Sequence, residues 1–186
     1  MSTHKKVATY QDVLDAPDGL VAELIAGELH LSPRPATPHA LATSALGEEL
    51  GPPFKRGRGG PGGWIIVHEP ELHLGPNVLV PDLAGWRRER LPALPDAPFV
   101  TTLPDWVCEV LSPHNARLDR TVKLPLYASL GLPHLWLVDP VARTLDAFRN
   151  HGGQWLLLAS FVDDARVRAE PFEVFELDLS LLWADV

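Results

Sequence analysis

Short apolar runs broken by glycine and proline fill most of the chain, and a helical period is sustained in two stretches. The first opens at Thr37-Pro38, a capping threonine followed by proline in the first turn. Leu41, Ala45, Leu46 and Leu50 then form a stripe until Gly51-Pro52-Pro53 ends it. The second runs from Asn115, as N-cap, to Leu130, with Leu118, Val122 and Leu126 recurring every four residues. Pro125 inside it should remove a hydrogen bond and kink the helix, and Gly131 with Pro133 terminates it. A shorter helix opens at Thr9, where Asp12 three residues on completes a capping-box pattern, and stops near Pro17-Asp18-Gly19.

The remaining runs are strand-like. Val21–Ile25 and Leu29–Leu31 flank Ala26-Gly27-Glu28 and predict an N-terminal hairpin over residues 21–33. Gly57–Gly63 is expected to be a mobile loop. Trp64–Leu74, interrupted at Pro70, predicts two strands or one bent strand, and Val78–Trp86 the next strand. Pro92–Pro104 carries four prolines and predicts an irregular surface loop. Trp106–Leu111 and Leu135–Val138 have the near-continuous apolar character of strands covered on both faces. Residues 144–149 and 154–161 predict a hairpin around His151-Gly152-Gly153, and Leu177–Trp183 a short closing helix. With no internal repeat, this order gives an α+β, α/β-like fold: a mixed β-sheet flanked by helices, with an additional N-terminal hairpin.

A length of 186 residues with 46% apolar content suits a single domain, expected over 9–186, with a flexible terminus over 1–8. The single cysteine, Cys108, excludes an intrachain disulfide and a Cys-rich zinc site. No stretch approaches a membrane span, and the N-terminal lysines precede no apolar segment of the secretory kind, so a cytoplasmic location is expected. The net charge of −8 argues against tight non-specific binding to nucleic acid, which needs cationic surface to release counterions. Two local basic patches run against it: Lys55, Arg56 and Arg58, and Arg87, Arg88 and Arg90. They are either phosphate contacts or solvated loops.

Two acids need a physical reason. Glu109 stands in the otherwise apolar Trp106-Val107-Cys108-Glu109-Val110-Leu111, and Asp82 in Val78-Leu79-Val80-Pro81-Asp82-Leu83-Ala84. A buried carboxylate must be neutralised, paired or bound to a cation. Pro81 has no N–H for a sheet ladder, so pairing should break where Asp82 appears. Two carboxylates converging from one sheet would suit a hard cation such as Mg²⁺, which binds one or two carboxylates together with substrate phosphate. The alternative is two acids at strand ends facing water. Lys123 is one of four lysines, and all other basic residues after Lys55 are arginines. Asp119, Lys123 and Tyr127 share a helix face at i, i+4 and i+8, as a site or as an exposed ion pair.

Several short strings fix a resemblance. They are Glu23-Leu24-Ile25-Ala26-Gly27-Glu28, Ser32-Pro33, His39, Val80-Pro81-Asp82, Glu109-Val110-Leu111-Ser112-Pro113, Asp119 with Lys123 and Tyr127, Gly131, and Trp136-Leu137-Val138-Asp139-Pro140. In this order and spacing, from about residue 20 to 150, the chain resembles the Uma-two family of putative restriction endonucleases, within the PD-(D/E)XK nuclease superfamily. The resemblance implies a restriction-endonuclease-like fold and metal-dependent hydrolysis of DNA. Asp82 and Glu109 would hold Mg²⁺ or Mn²⁺, with Lys123 completing the catalytic set. Glu23 would be an extra metal ligand or a support for the ligands, and His39 would contact phosphate or orient water. Their plainer readings are a solvated hairpin acid and a surface histidine. The superfamily's usual lysine, two residues after the second acid, is replaced here by Leu111.

Nucleases of this kind commonly cut as dimers, and Leu181-Leu182-Trp183 is a candidate dimer face or a closure of the core. Two other readings remain: a catalytically silent nuclease-fold module that binds nucleic acid or protein, and a metal-free hydrolase using Asp82 and Glu109 as an acid/base pair. His30, His68 and His73 lack a zinc-like spacing and are read as structural, and Cys108 as a core residue facing away from Glu109.

Overall fold

The structure, a computed structural model, describes residues 7–184. Most of the terminus expected to be flexible, residues 1–6, lies outside the described residues, while Ala8 donates its N–H to the Gly27 carbonyl at 2.8 Å. The order is α1 (Tyr10–Leu14), β1 (Leu20–Ile25), β2 (Glu28–Pro33), α2 (Thr37–Leu50), β3 (Trp64–His68), β4 (Leu72–Leu74), β5 (Asn77–Leu79), β6 (Leu83–Arg87) and β7 (Trp106–Val110). A helix over residues 116–129, here α3, follows. The chain continues with β8 (His134–Asp139), β9 (Thr144–His151), β10 (Gln154–Val162), β11 (Arg166–Val167) and β12 (Leu177–Asp178). Among the described residues no helix is long and apolar enough to cross a membrane.

The sheet is mixed, as the sequence predicts. Six strands run in the order β10-β9-β8-β7-β6-β3, with β7 and β8 parallel and the other neighbours antiparallel. The N-terminal hairpin belongs to a second, four-stranded antiparallel sheet in the order β2-β1-β5-β4. Both long apolar runs are therefore divided. Trp64–Leu74 splits into β3 and β4, and Val78–Trp86, expected as one strand, splits into β5 and β6 at Val80-Pro81-Asp82. Each half enters a different sheet. Pro81, which cannot donate to a ladder, sits at the crossing.

Alternation along β7 sends Trp106, Cys108 and Val110 into one core and Val107 and Leu111 into another. The first core packs under α2 and the C-terminal segment, with Phe172 touching the rings of Phe54, Trp64, Trp106 and Trp136. The second packs against the four-stranded sheet and α3, through Ile25, Leu79, Tyr127 and Leu132. Cys108 thus faces away from the Glu109 side, as read from sequence. The C-terminus differs from expectation. Leu177–Asp178 pairs with β11, and a 3-10 turn, Leu179–Leu182, replaces the closing helix. Asp178 accepts the Ser180 N–H and tightens that turn. Leu182 and Trp183 close the core, while Leu181 is exposed.

The Gly57–Gly63 segment is tied down rather than loose. Arg58 and Gly62 donate their N–H groups to the Pro52 and Pro53 carbonyls, both at 2.8 Å. A Cβ on Gly60 would lie 2.5 Å from Pro53 Cβ and 2.8 Å from its carbonyl oxygen. Gly60→Ala is therefore expected to lower stability by about 1–3 kcal/mol through overpacking, read from urea unfolding. An unchanged midpoint would show that the loop does not pack as described.

Candidate functional site

Two sheet positions set the acids side by side. Leu83 pairs with Cys108 and Ala84 with Val107, so the next step of this register puts Asp82 across from Glu109. Ala84, Trp86, Val107 and Leu111 share one core, and Asp82 and Glu109 stand in step with them at intervals of two, which by alternation puts both acids on that side of the sheet. The ladder itself stops there, and the Asp82 side chain takes over: its Oδ2 accepts the Val110 N–H at 2.6 Å. Its Oδ1 lies 2.9 Å from His39 Nε2. The carboxylate is thus held at both oxygens while remaining partly exposed to the cleft.

His39 reaches this position because the buried face of α2 is His39, Ala42, Thr43, Leu46 and Leu50. The expected stripe through Leu41 and Ala45 is rotated, and those two residues are half-buried at its margin. The two polar members of the face find partners, except that His39 Nδ1 is buried without one among the described residues. Thr43 Oγ1 donates to the His39 carbonyl, and the His39 ring meets Asp82.

α3 supplies the cation. Its middle turn, Asp119–Lys123, is π-helical and ends two residues before Pro125, so the shift in hydrogen-bond register falls near where proline would have broken an α-helix. Lys123 Nζ lies 2.8 Å from Glu109 Oε1, 3.0 Å from Glu23 Oε1 and 3.8 Å from Asp119 Oδ1. One turn on, Tyr127 donates its hydroxyl to Glu109 Oε1 at 2.8 Å. Glu23, on β1, also accepts the Val80 N–H at 2.8 Å. Glu109, Lys123, Glu23 and Asp119 are only 2%, 3%, 4% and 4% exposed, so water cannot screen these pairs.

The electrostatics follow from this crowding. Burial pushes the Glu109 carboxyl well above its usual range, and the Lys123 ammonium only partly offsets that. Burial alone would lower the Lys123 pKa, but the carboxylates, Glu109 foremost, outweigh it and hold the amine protonated. Tyr127 is pushed up by burial and then by Glu109. Asp119 rises from 3.8 to about 6, chiefly through burial. A carboxyl with a raised pKa binds more protons folded than unfolded, so its effect on stability worsens as pH climbs from 3.8 to about 6. Asp119→Asn should flatten the fall in melting temperature across that window. A wild-type slope retained in the variant would assign it to another group.

All five residues singled out in the sequence, Asp82, Glu109, Lys123, Glu23 and His39, line one pocket. Neither plainer reading of Glu23 and His39 holds, since both are buried. The exposed-pair reading of Asp119 and Lys123 fails for the same reason. Asp119, read from the sequence as a helix-face neighbour of Lys123 and as part of the resemblance but given no role, joins the pocket with Ser32, Asn115 and Glu69. Glu69, at φ 44°, donates its N–H to the Asp82 carbonyl, a backbone relation with no sequence signal. The basic patches are less free than their sequence suggests. Lys55 donates to the Ile66 carbonyl, Arg87 stacks over Trp64 and Arg90 pairs with Asp105, while Arg56 and Arg58 are exposed.

Among the described residues, no group of three or more His, Cys, Asp or Glu side chains is placed to hold a metal ion. The donor set nevertheless has the chemistry for a hard cation. Asp82 and Glu109 offer carboxylate oxygens at adjoining positions, and Mg²⁺ commonly takes its remaining ligands from water and substrate phosphate.

A mixed sheet carrying paired acids on one face and a buried lysine on the adjoining helix defines a restriction-endonuclease-like architecture. The chain belongs to the Uma2 family, described as "Putative restriction endonuclease", whose profile matches residues 7–181. In fold it is similar to a crystal structure described as a "putative nuclease belonging to DUF820", from Anabaena variabilis. The TM-score is 0.72 at 23% sequence identity, covering 95% of this chain and 98% of that one. No curated protein matches the chain.

Proposed function

We propose that this protein is a cytoplasmic, divalent-metal-dependent endonuclease that hydrolyses phosphodiester bonds in DNA. Asp82 and Glu109 would hold Mg²⁺ or Mn²⁺, and Lys123 would act beside them. The observation that carries this reading is the adjoining register of Asp82 and Glu109 on one sheet face, with Lys123 Nζ 2.8 Å from Glu109. When bound, the cation supplies an activated water and neutralises charge on the scissile phosphate.

The chain's own groups prepare the site. His39 and the Val110 N–H fix the Asp82 carboxylate at both oxygens. Tyr127 and Lys123 both engage Oε1 of Glu109. Lys123 stays charged at neutral pH and can offset negative charge building on the phosphate. The surrounding burial strengthens each of these interactions by excluding water.

The test is plasmid nicking at low salt, which favours binding of DNA to an acidic protein. Mg²⁺ or Mn²⁺ should support nicking and EDTA should stop it. Nicking that persists in EDTA would refute the metal requirement. One observation favours the silent-module reading: Leu111, in place of the superfamily lysine, is packed in the core. That reading predicts no nicking with either ion and no rise in melting temperature on adding them.

A further inference from the structure

Glu23 makes the contacts of a bound anion. A single oxygen, Oε1, receives both an ammonium, Lys123 Nζ at 3.0 Å, and a backbone N–H, Val80 at 2.8 Å. An ammonium and a backbone amide converging on one oxygen are the donors that commonly hold a phosphate oxygen. Val80 lies two residues before Asp82, in the segment linking the two sheets, so this seat adjoins the proposed cation position. Glu23 and Val80 both line the pocket shared with Asp82 and Glu109.

We infer that Lys123 Nζ and the Val80 N–H form the seat for a non-bridging oxygen of the substrate phosphodiester, and that Glu23 occupies this seat until substrate displaces it. The inference rests on the nuclease reading and names how that site would hold its substrate phosphate.

Charge balance supports the exchange. Lys123 is surrounded by three carboxyl groups, those of Glu109, Glu23 and Asp119, and Asp82 and Glu69 bring the acids lining the pocket to five. A further anion entering beside them would meet repulsion. A phosphodiester carries a single negative charge, as the Glu23 carboxylate does, so replacing one by the other leaves the net charge around Lys123 unchanged. The Val80 N–H keeps an acceptor throughout, and no buried donor is left unpaired. Glu23 is anchored on β1 of the four-stranded sheet, so exchange at its carboxylate breaks no pairing of the six-stranded sheet.

The experiment uses dimethyl phosphate, a minimal phosphodiester, titrated into the full chain in EDTA and followed by the Val80 backbone amide resonance. In wild-type protein that resonance should move as the carboxylate is exchanged for phosphate. In Glu23→Gln, whose amide oxygen can still accept from Val80 but carries no charge, binding should tighten by about tenfold. Equal or weaker binding by Glu23→Gln would overturn the inference. If that variant does not fold, the wild-type titration decides: a Val80 resonance unmoved by dimethyl phosphate at constant ionic strength refutes the seat. Because EDTA is present throughout, this outcome is separate from the nicking test. Loss of the seat with nicking intact defeats the inference alone. Exchange at Val80 without nicking under any metal defeats the activity and leaves the seat.

Discussion

Lys123→Met is expected to lower the stability of the protein by about 3–5 kcal/mol at neutral pH, the range seen when one partner of a buried ion pair is removed. Methionine fills a similar volume, so the loss is electrostatic rather than a cavity. Lys123 is the cation for Glu109 and Glu23 at 2.8 and 3.0 Å, and both acids are almost fully enclosed. Without it these carboxylates must either stay charged in a low dielectric or take up protons. Their pKa values would rise, and the variant would bind more protons folded than unfolded. The deficit should therefore shrink as pH falls and grow as pH rises. Urea unfolding of both proteins at several pH values measures it. A variant as stable as wild type at pH 7 would mean that Lys123 contributes no net stabilisation to the cluster.

Asp82→Asn should reduce nicking by at least about a hundredfold, the scale associated with losing one charge-stabilising group. It should leave folding nearly intact. Asparagine keeps a carbonyl oxygen for the Val110 N–H, which Asp82 Oδ2 now accepts at 2.6 Å, so that buried donor keeps a partner. What disappears is the negative charge that would attract a cation. The comparison needs the melting temperature beside the nicking rate. Activity within a fewfold of wild type in a fully folded variant would remove Asp82 from the chemistry.

The acid pair was legible because both residues break an apolar pattern, and a buried charge without a reason is rare. Pro81 marked the interruption correctly, since a missing N–H is a local property that sequence carries. Its consequence was not local: β5 and β6 enter different sheets because β5 pairs with β1, and Val80 and Glu23 are 57 residues apart. Nothing in a periodicity window reports such a partner. The face of α2 misled for a related reason. Leu41 and Ala45 suggested the inner stripe, yet His39 and Thr43 are buried, with a carboxylate beside His39 Nε2 and a backbone carbonyl accepting from Thr43. The Asp119, Lys123 and Tyr127 spacing was visible, but the π-helical turn that carries the first two was not. It ends two residues before Pro125, whose missing N–H is a local cause that the periodicity did not report as a register shift.

The claim that the two strand acids share one divalent ion is tested most directly by anomalous diffraction from crystals soaked in Mn²⁺. The account predicts one Mn²⁺ site, with an oxygen of Asp82 and an oxygen of Glu109 each within about 2.1 Å. An empty pocket at millimolar Mn²⁺, or an ion bound only elsewhere, would contradict it.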